Sequence, residues 1–203
     1  MKKALSILFL LLFGIALNTS AQTVDKAAQR VTALSDAVKA LGNYAVRFTI
    51  EIGEHKVAGH YTVGSDCYAL TLGAVEVYGD TKCRYEVDTS RREVVIDSVD
   101  TTSHNLLNNP LSAFNFIGEE YMSEMLSEGD GVAVLKLTPR QKGEQEGVME
   151  VTINSRTNLP KRVVYQPSGE SIRVNIDYIG ATTVLPTKFD QAKYRDFEII
   201  DFR

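Results

Sequence analysis

Between residues 44 and 98, hydrophobic positions alternate with polar ones, a pattern typical of half-buried β-strands. In the first of these segments the hydrophobic positions are Tyr44, Val46, Phe48, Ile50 and Ile52. Glycine, aspartate and serine turns divide the remainder into short segments near 55–63, 66–72, 74–79, 82–88 and 91–98. Because links this short join antiparallel neighbours, we predict a meander of six strands.

The alternation returns after residue 131 and predicts four more strands, at 132–138, 148–154, 161–166 and 171–179. The last is the most regular, with Ile172, Val174, Ile176 and Tyr178 separated by single residues of other types. Apolar residues near the end predict a C-terminal segment that packs back against the body: Phe189, Phe197, Ile199 and Phe202.

In two stretches the hydrophobic residues instead recur every three or four positions, as they do in amphipathic helices. The first has Thr23 as its candidate N-cap and Gly42 as its stop. Its apolar residues are Val24, Ala28, Val31, Leu34, Val38 and Leu41. The second is predicted to open at Asn109-Pro110 and to end at Gly129. Its apolar stripe is Leu111, Phe114, Ile117, Tyr121, Met122 and Met125.

Phe116 lies off the stripe of the second helix, nearly opposite Met125 at about 100° per residue. One explanation is a first turn displaced by a residue. The other is a helix held between two apolar surfaces, as a lid would be.

About ten antiparallel strands with one apolar face curl strongly because of their twist. We therefore predict an α+β fold, an open antiparallel β half-barrel of about ten to eleven strands with helices as a lid over a hydrophobic cavity. The predicted cavity residues are Phe48, Ile50, Tyr61, Val63, Tyr68, Leu70, Tyr85, Val151, Ile153, Ile176 and Tyr178. The predicted lid residues are Phe114, Phe116, Met122 and Met125. The same cavity residues would also suit a closed, dry core.

The first 21 residues have the order of a secretory signal peptide: two lysines, an apolar run and a final Thr19-Ser20-Ala21. We predict cleavage before Gln22, leaving residues 22–203 as one periplasmic domain, a monomer. That part carries 20 basic and 26 acidic residues, without a basic cluster, so nucleic acid is not an expected partner. No later apolar run approaches the ~18 residues of a membrane-spanning helix.

The sequence contains no recognisable catalytic motif, and we predict no metal, no cofactor and no enzyme activity. His55 and His60 are five positions apart and would lie on opposite faces of a strand. An exported enzyme that pairs a cysteine with a histidine stays a third alternative.

Cys67 and Cys83 could form a disulfide in an exported protein. The predicted strands place them two strand spacings apart, roughly 9–10 Å, whereas a disulfide needs less than about 7 Å between Cα atoms. We therefore favour free thiols.

The order of several motifs resembles the LolA-type outer-membrane lipoprotein carriers over nearly the whole chain after residue 21. The motifs are Tyr44-Ala45-Val46-Arg47-Phe48, Gly59-His60-Tyr61-Thr62-Val63, Val77-Tyr78-Gly79-Asp80-Thr81-Lys82, Arg91-Arg92-Glu93-Val94-Val95-Ile96, Asn109-Pro110-Leu111, Val134-Leu135-Lys136-Leu137-Thr138-Pro139, Leu185-Pro186-Thr187-Lys188-Phe189 and Phe197-Glu198-Ile199-Ile200-Asp201-Phe202-Arg203.

This resemblance implies an unclosed barrel whose hydrophobic cavity takes the acyl chains of lipoproteins. It implies acylated lipoproteins or lipids as ligands, and an inner-membrane exporter and an outer-membrane acceptor as partners. A lipid- or lipoprotein-sensing domain of the same fold, acting in envelope stress signalling, is the alternative.

The sequence departs from the family at one place. Family members have an Arg-Pro after the strand that matches 59–63, and that arginine holds the lid closed. Here the chain reads Gly64-Ser65-Asp66, and Arg47 alternates to the polar face of its strand.

Overall fold

A computed structural model describes residues 18–99, 117–140, 147–166 and 171–203. The helices are α1 (Asn18–Lys39) and α2 (Ile117–Glu120). The strands are β1 (Tyr44–Ile52), β2 (His55–Val63), β3 (Cys67–Leu72), β4 (Val75–Asp80), β5 (Cys83–Asp88), β6 (Glu93–Ser98), β7 (Tyr121–Gly129), β8 (Val132–Pro139), β9 (Val148–Asn154), β10 (Pro160–Gln166), β11 (Ile172–Ala181) and β12 (Glu198–Asp201).

All the described strands form a single sheet in the order β12-β6-β5-β4-β3-β2-β1-β11-β10-β9-β8-β7. Strands β1 to β6 form the predicted antiparallel meander, and β7 to β11 form a second one that joins the first through β1 and β11. The terminal strand β12 pairs with β6 in parallel. Because β12 and β7 are the two edges, the sheet does not close, and the predicted open half-barrel is confirmed, with 12 strands.

Helix α1 packs against one side of the sheet, which we call the inner face; the opposite side is the outer face. Its fully buried residues Ala27, Val31, Leu34 and Val38 are spaced by four, three and four positions, as one helix face requires. Gly42 has a φ of 63° and ends the helix as predicted.

The start of α1 differs from the prediction. The helix is already formed at Asn18, the first described residue and upstream of the predicted N-cap Thr23, and Ala27 is buried in place of Ala28. It therefore runs through the predicted cleavage junction. Residues 1–17 lie outside the described residues, and the signal peptide stays a prediction.

The predicted second helix is wrong from Tyr121 onward, because residues 121–129 form strand β7. Asp130 and Gly131 have φ angles of 49° and 78°, which suit a two-residue hairpin that pairs β7 with β8. Met122 and Met125 are thus strand residues and not residues of a helical lid. Phe114 and Phe116 lie outside the described residues.

The apolar side of the sheet changes at β5. Val75 and Val77 on β4 belong to the inner cluster with α1, whereas Tyr78 belongs to a second cluster. Directly paired residues share a face, so the register Tyr78↔Tyr85↔Ile96 places Tyr85 on the outer face. The prediction of Tyr85 as a cavity residue is therefore wrong.

The C-terminal segment covers this outer cluster. Phe189 stacks on Tyr85 with ring centroids 4.2 Å apart, and Tyr194 is 2% exposed. The carboxylate of Glu76 accepts hydrogen bonds from the hydroxyls of Tyr194 and Tyr78 and from the Lys193 ammonium. The predicted return of the chain end to the body is confirmed for Phe189 and Phe197, whereas Ile199 and Phe202 are 41% and 69% exposed.

Glu76 is expected to make this attachment sensitive to acid. Burial raises the pKa of its carboxyl, but the hydrogen bonds from Tyr194, Lys193 and Tyr78 outweigh burial and lower the pKa below its ordinary value of 4.5. A lowered folded-state pKa stabilises the fold above the unfolded-state pKa, and this stabilisation is lost as the pH falls through the folded-state value.

In Glu76→Gln the urea midpoint at pH 7 is expected to be lower than in the wild type, and the further drop on going to pH 3 to be smaller. Urea unfolding followed by circular dichroism at both values measures this. Parallel pH profiles for the two proteins would contradict it.

Candidate functional site

The inner face is a continuous apolar surface that extends across β4-β3-β2-β1-β11-β10-β9-β8-β7. Alternate residues of each strand contribute to it, because successive side chains of a strand point to opposite sides. At β5 and β6 the same face becomes charged, since Arg84 pairs with Gly79, and Asp97 with Arg84. The apolar surface therefore has a polar border on one side.

Nine of the eleven predicted cavity residues lie in this inner cluster. They are Phe48, Ile50, Tyr61, Val63, Tyr68, Leu70, Val151, Ile153 and Ile176. Phe48, Ile50, Val63, Tyr68, Leu70, Val151 and Ile153 are fully buried, and Tyr61 and Ile176 are partly buried. Their common face is as predicted; the binding of lipid by these residues stays a prediction.

Tyr178 does not belong to the inner cluster, because a β-bulge interrupts the alternation of β11. The register passes from Arg47↔Tyr178 to Phe48↔Ile176, so Asp177 is left over. Ile179, opposite Val46, takes the inward position. Tyr178 is 41% exposed, and the Arg47 guanidinium lies 4.8 Å from its ring centroid. The predicted inward position of Tyr178 is therefore wrong.

Helix α1 is held on the sheet by apolar packing and by polar contacts of Arg30. The Arg30 guanidinium forms an ion pair with Glu128 at the end of β7. It also donates hydrogen bonds to the side-chain oxygen of Asn158, at 2.9 Å, and to the carbonyl of Ser155, at 3.3 Å. The sequence did not predict a role for Arg30, because its partners lie about a hundred residues or more away along the chain and approach the helix only in the folded protein.

Two of the hollows on the described surface are bordered by charged residues. One, of about 360 Å³, lies beside Lys26, Arg30 and Glu128. The other, of about 390 Å³, lies beside Arg47, His60 and Asp177. In the described residues, most of the face that was predicted to line a cavity belongs to one buried apolar cluster together with α1. An open cavity stays a prediction.

The buried tyrosines of the inner face remain uncharged at ordinary pH. Burial raises the pKa of Tyr44 to about 12 and raises the pKa of Tyr61 well above its usual range. Since both keep their protons, these two hydroxyls add no charge to the inner face.

Close packing of an aromatic ring on a glycine shapes the inner face at β3 and β4. A Cβ atom at Gly79 would lie 2.3 Å from the ring of Tyr68, which is itself 2% exposed. Gly79→Ala is therefore expected to displace that ring and to lower the free energy of unfolding by about 1–3 kcal/mol. Thermal or urea unfolding measures this loss.

Gly129→Ala is the matched control, because no atom lies within 4 Å of a Cβ placed there. We expect a change within about 0.5 kcal/mol. Equal losses for the two variants would contradict the close contact at Gly79.

Reactive groups in the described residues are dispersed. In these ranges no three His, Cys, Asp or Glu side chains come together as a metal site would require. Cys67 and Cys83 are free thiols at the starts of β3 and β5, with β4 between them as predicted. Among the described helices, none has both the length and the apolar run that crossing a bilayer needs.

No protein-family model matches the sequence, and no curated protein matches it. The fold is similar to that of an uncharacterised conserved protein from Thermus thermophilus, with a TM-score of 0.52 and 13% identity over 84% of this chain and 98% of that one.

Two further solved structures are more distant. A LolA superfamily protein from Nitrosomonas europaea has a TM-score of 0.41 and 10% identity over 78% of this chain and 94% of that one. A chain of the Pseudomonas aeruginosa MucA/MucB complex has a TM-score of 0.49 and 15% identity over 80% of this chain, which spans 59% of that one. At such identities a likeness concerns the fold alone.

The open sheet, its antiparallel order and the helix on its inner face agree with the fold that the sequence resemblance implies. The described chain forms an open, mostly antiparallel β half-barrel.

Proposed function

We propose that the protein is a periplasmic carrier that binds the acyl chains of lipoproteins on the inner face of the half-barrel. In this proposal residues 1–21 direct export and are removed, and residues 22–203 form the carrier. It takes its cargo from an inner-membrane exporter, delivers it to an outer-membrane acceptor and catalyses no reaction. The observation that supports it is the wide apolar inner face, which forms one buried cluster with the long helix α1 in the described part of the chain.

Transfer energies favour an exchange of α1 for an acyl chain. A chain of about sixteen carbons gains roughly 12 kcal/mol when it leaves water, at about 0.8 kcal/mol per CH₂ group. The three larger buried side chains of α1, Val31, Leu34 and Val38, contribute roughly 1.5–3 kcal/mol each. Bound lipid can therefore compensate for the apolar contacts that α1 gives up.

Exchange also requires that the sheet persist when α1 moves away. The strands are held by their own backbone ladders from β12 to β7, and α1 takes no part in them. Arg30 of α1 contacts Glu128 near the end of β7, and Ser155 and Asn158 in the link between β9 and β10. These polar contacts are therefore confined to one end of those strands. The helix thus serves as the lid in this proposal, with Arg30 as its fastening.

Depletion of the protein, followed by separation of the two membranes, tests the carrier role. Lipoproteins destined for the outer membrane are expected to accumulate in the inner membrane and to return to normal when the wild-type gene is restored. Unchanged sorting would contradict the carrier role. In that case native mass spectrometry of the purified protein tests lipid binding separately. Copurifying acyl lipid would leave the sensing alternative in place, and its absence would contradict both functions.

A further inference from the structure

Three buried hydrogen-bond donors at the border of the apolar inner face lack a hydrogen bond of good geometry. They are the Oη atoms of Tyr61 and Tyr68 and the Nε atom of Arg84. The Arg84 side chain also lies close enough to the Tyr68 hydroxyl to act against the rise that burial causes in its pKa. Tyr68 is 2% exposed as a whole residue. Since buried polar atoms are nearly always paired, three such donors in one place indicate a site that an acceptor from outside the chain can fill.

The strand register brings the three donors together. The rings of Tyr61 and Tyr68 meet edge to face, with centroids 5.9 Å apart. Tyr68 lies opposite Gly79, and Gly79 lies opposite Arg84. The Tyr68 ring extends across Gly79, and its Oη lies 2.5 Å from the place that a Cβ would take there. Its hydroxyl therefore reaches from β3 across β4 towards Arg84 on β5.

The charges around Arg84 select the kind of acceptor. Its Nη2 lies 2.6 Å from Oε2 of Glu86, and its Nη1 lies 3.9 Å from Oδ2 of Asp97. Two carboxylates thus already balance the single guanidinium charge. A further anion would be repelled by them, whereas an uncharged carbonyl oxygen would not. The tyrosines remain donors, since burial raises the pKa of both hydroxyls.

We propose that Tyr61, Tyr68 and Arg84 bind the uncharged carbonyl oxygen of an ester or amide at the head of an acyl chain, while the chain lies on the apolar inner face. This inference rests on the proposed function and specifies its ligand. It assigns the head of the ligand to the β4–β5 border and its hydrocarbon to β1 to β4.

Displacement of an apolar fluorescent dye, N-phenyl-1-naphthylamine, from residues 22–203 tests the site at pH 8. The competitors are methyl laurate, laurate and dodecane, which share a chain of twelve carbons and differ in the head. Methyl laurate is expected to displace the dye at a concentration about fivefold lower than dodecane does, because one neutral hydrogen bond changes an affinity by about that factor. It is also expected to act at a lower concentration than laurate.

Tyr68→Phe and Tyr61→Phe are each expected to remove most of this preference, measured as the ratio of the dodecane and methyl laurate concentrations that displace half of the dye. Their melting temperatures are expected to equal or exceed that of the wild type, because each loses an unpaired buried hydroxyl. Tyr85→Phe, on the outer face, is the matched control and should keep the full preference for methyl laurate.

Equal displacement by methyl laurate and dodecane, or tighter binding of laurate, would overturn this inference and leave the proposed function intact. Unchanged ester preference in both tyrosine variants would do the same. If neither the dye nor any competitor binds, this inference and the proposed function both fail.

Discussion

Replacement of Leu135 by alanine is expected to lower the free energy of unfolding by about 2–5 kcal/mol. Leu135 is 0% exposed and lies on β8 between Met125 and Val151. Its strand is hydrogen-bonded to β7 on one side and to β9 on the other, so the backbone cannot easily collapse into the space that the smaller side chain leaves. Urea unfolding followed by circular dichroism measures the loss.

Leu126→Ala is the matched control for this substitution. Leu126 lies on the neighbouring edge strand β7 and is 45% exposed. We expect its replacement to change the free energy of unfolding by no more than about 0.5 kcal/mol. A loss at Leu135 no larger than that at Leu126 would show that the inner cluster does not stabilise the fold.

The second large effect is expected from Leu34→Asp on α1. Leu34 is 0% exposed, and a carboxylate at its position would be buried without a partner. Release of the helix from the sheet avoids that cost, because the strand ladders do not depend on α1. Hydrogen exchange of the α1 amides is expected to accelerate on the order of a hundredfold, while β1 to β4 keep their protection.

Gln29→Asp places the same charge on the exposed side of α1 and controls for charge alone. Exchange in α1 should then stay close to that of the wild type. Loss of protection throughout the sheet of Leu34→Asp would mean that α1 is an integral part of the core, and would contradict its role as a lid.

The meander β1 to β6 was predictable from the sequence because both its signals are local. Period two specified the strands, and turn residues such as Gly53 and Gly73, with φ angles of 56° and 60°, specified the links. Short links then determined the antiparallel order. The twelfth strand could not be derived in this way, since Glu198–Asp201 is only four residues long and pairs with distant β6.

Residues 121–129 were predicted as a helix because their apolar positions suit both periods. Tyr121 and Met125 are four apart, which one helix face and one strand face both allow. The Asp130-Gly131 pair, a strong hairpin signal, was the feature that distinguishes the two. The prediction instead interprets the neighbouring Gly129 as the end of a helix.

Most residues of the candidate site were predictable from the sequence. The errors lie where the alternating pattern does not reveal which side of the sheet a residue faces. Period two groups residues by face but does not tell which face of the sheet each strand turns to the core. The prediction therefore placed Tyr85 on the inner face, whereas it lies on the outer face. It also placed Tyr178 on the inner face, whereas the bulge beside Arg47 turns this side chain outward. The donors at Tyr61, Tyr68 and Arg84 come together only through pairing across four strands.

Photolabelling of residues 22–203 with a diazirine-bearing palmitate tests most directly whether acyl chains bind on the inner face. The labelled positions would be mapped by peptide mass spectrometry. Labels are expected on inner-face residues such as Ile50, Leu70 and Val77, and unlabelled palmitate should compete them away. Labels confined to the outer cluster around Val87 and Val94, or labels that excess palmitate does not reduce, would contradict acyl-chain binding on the inner face.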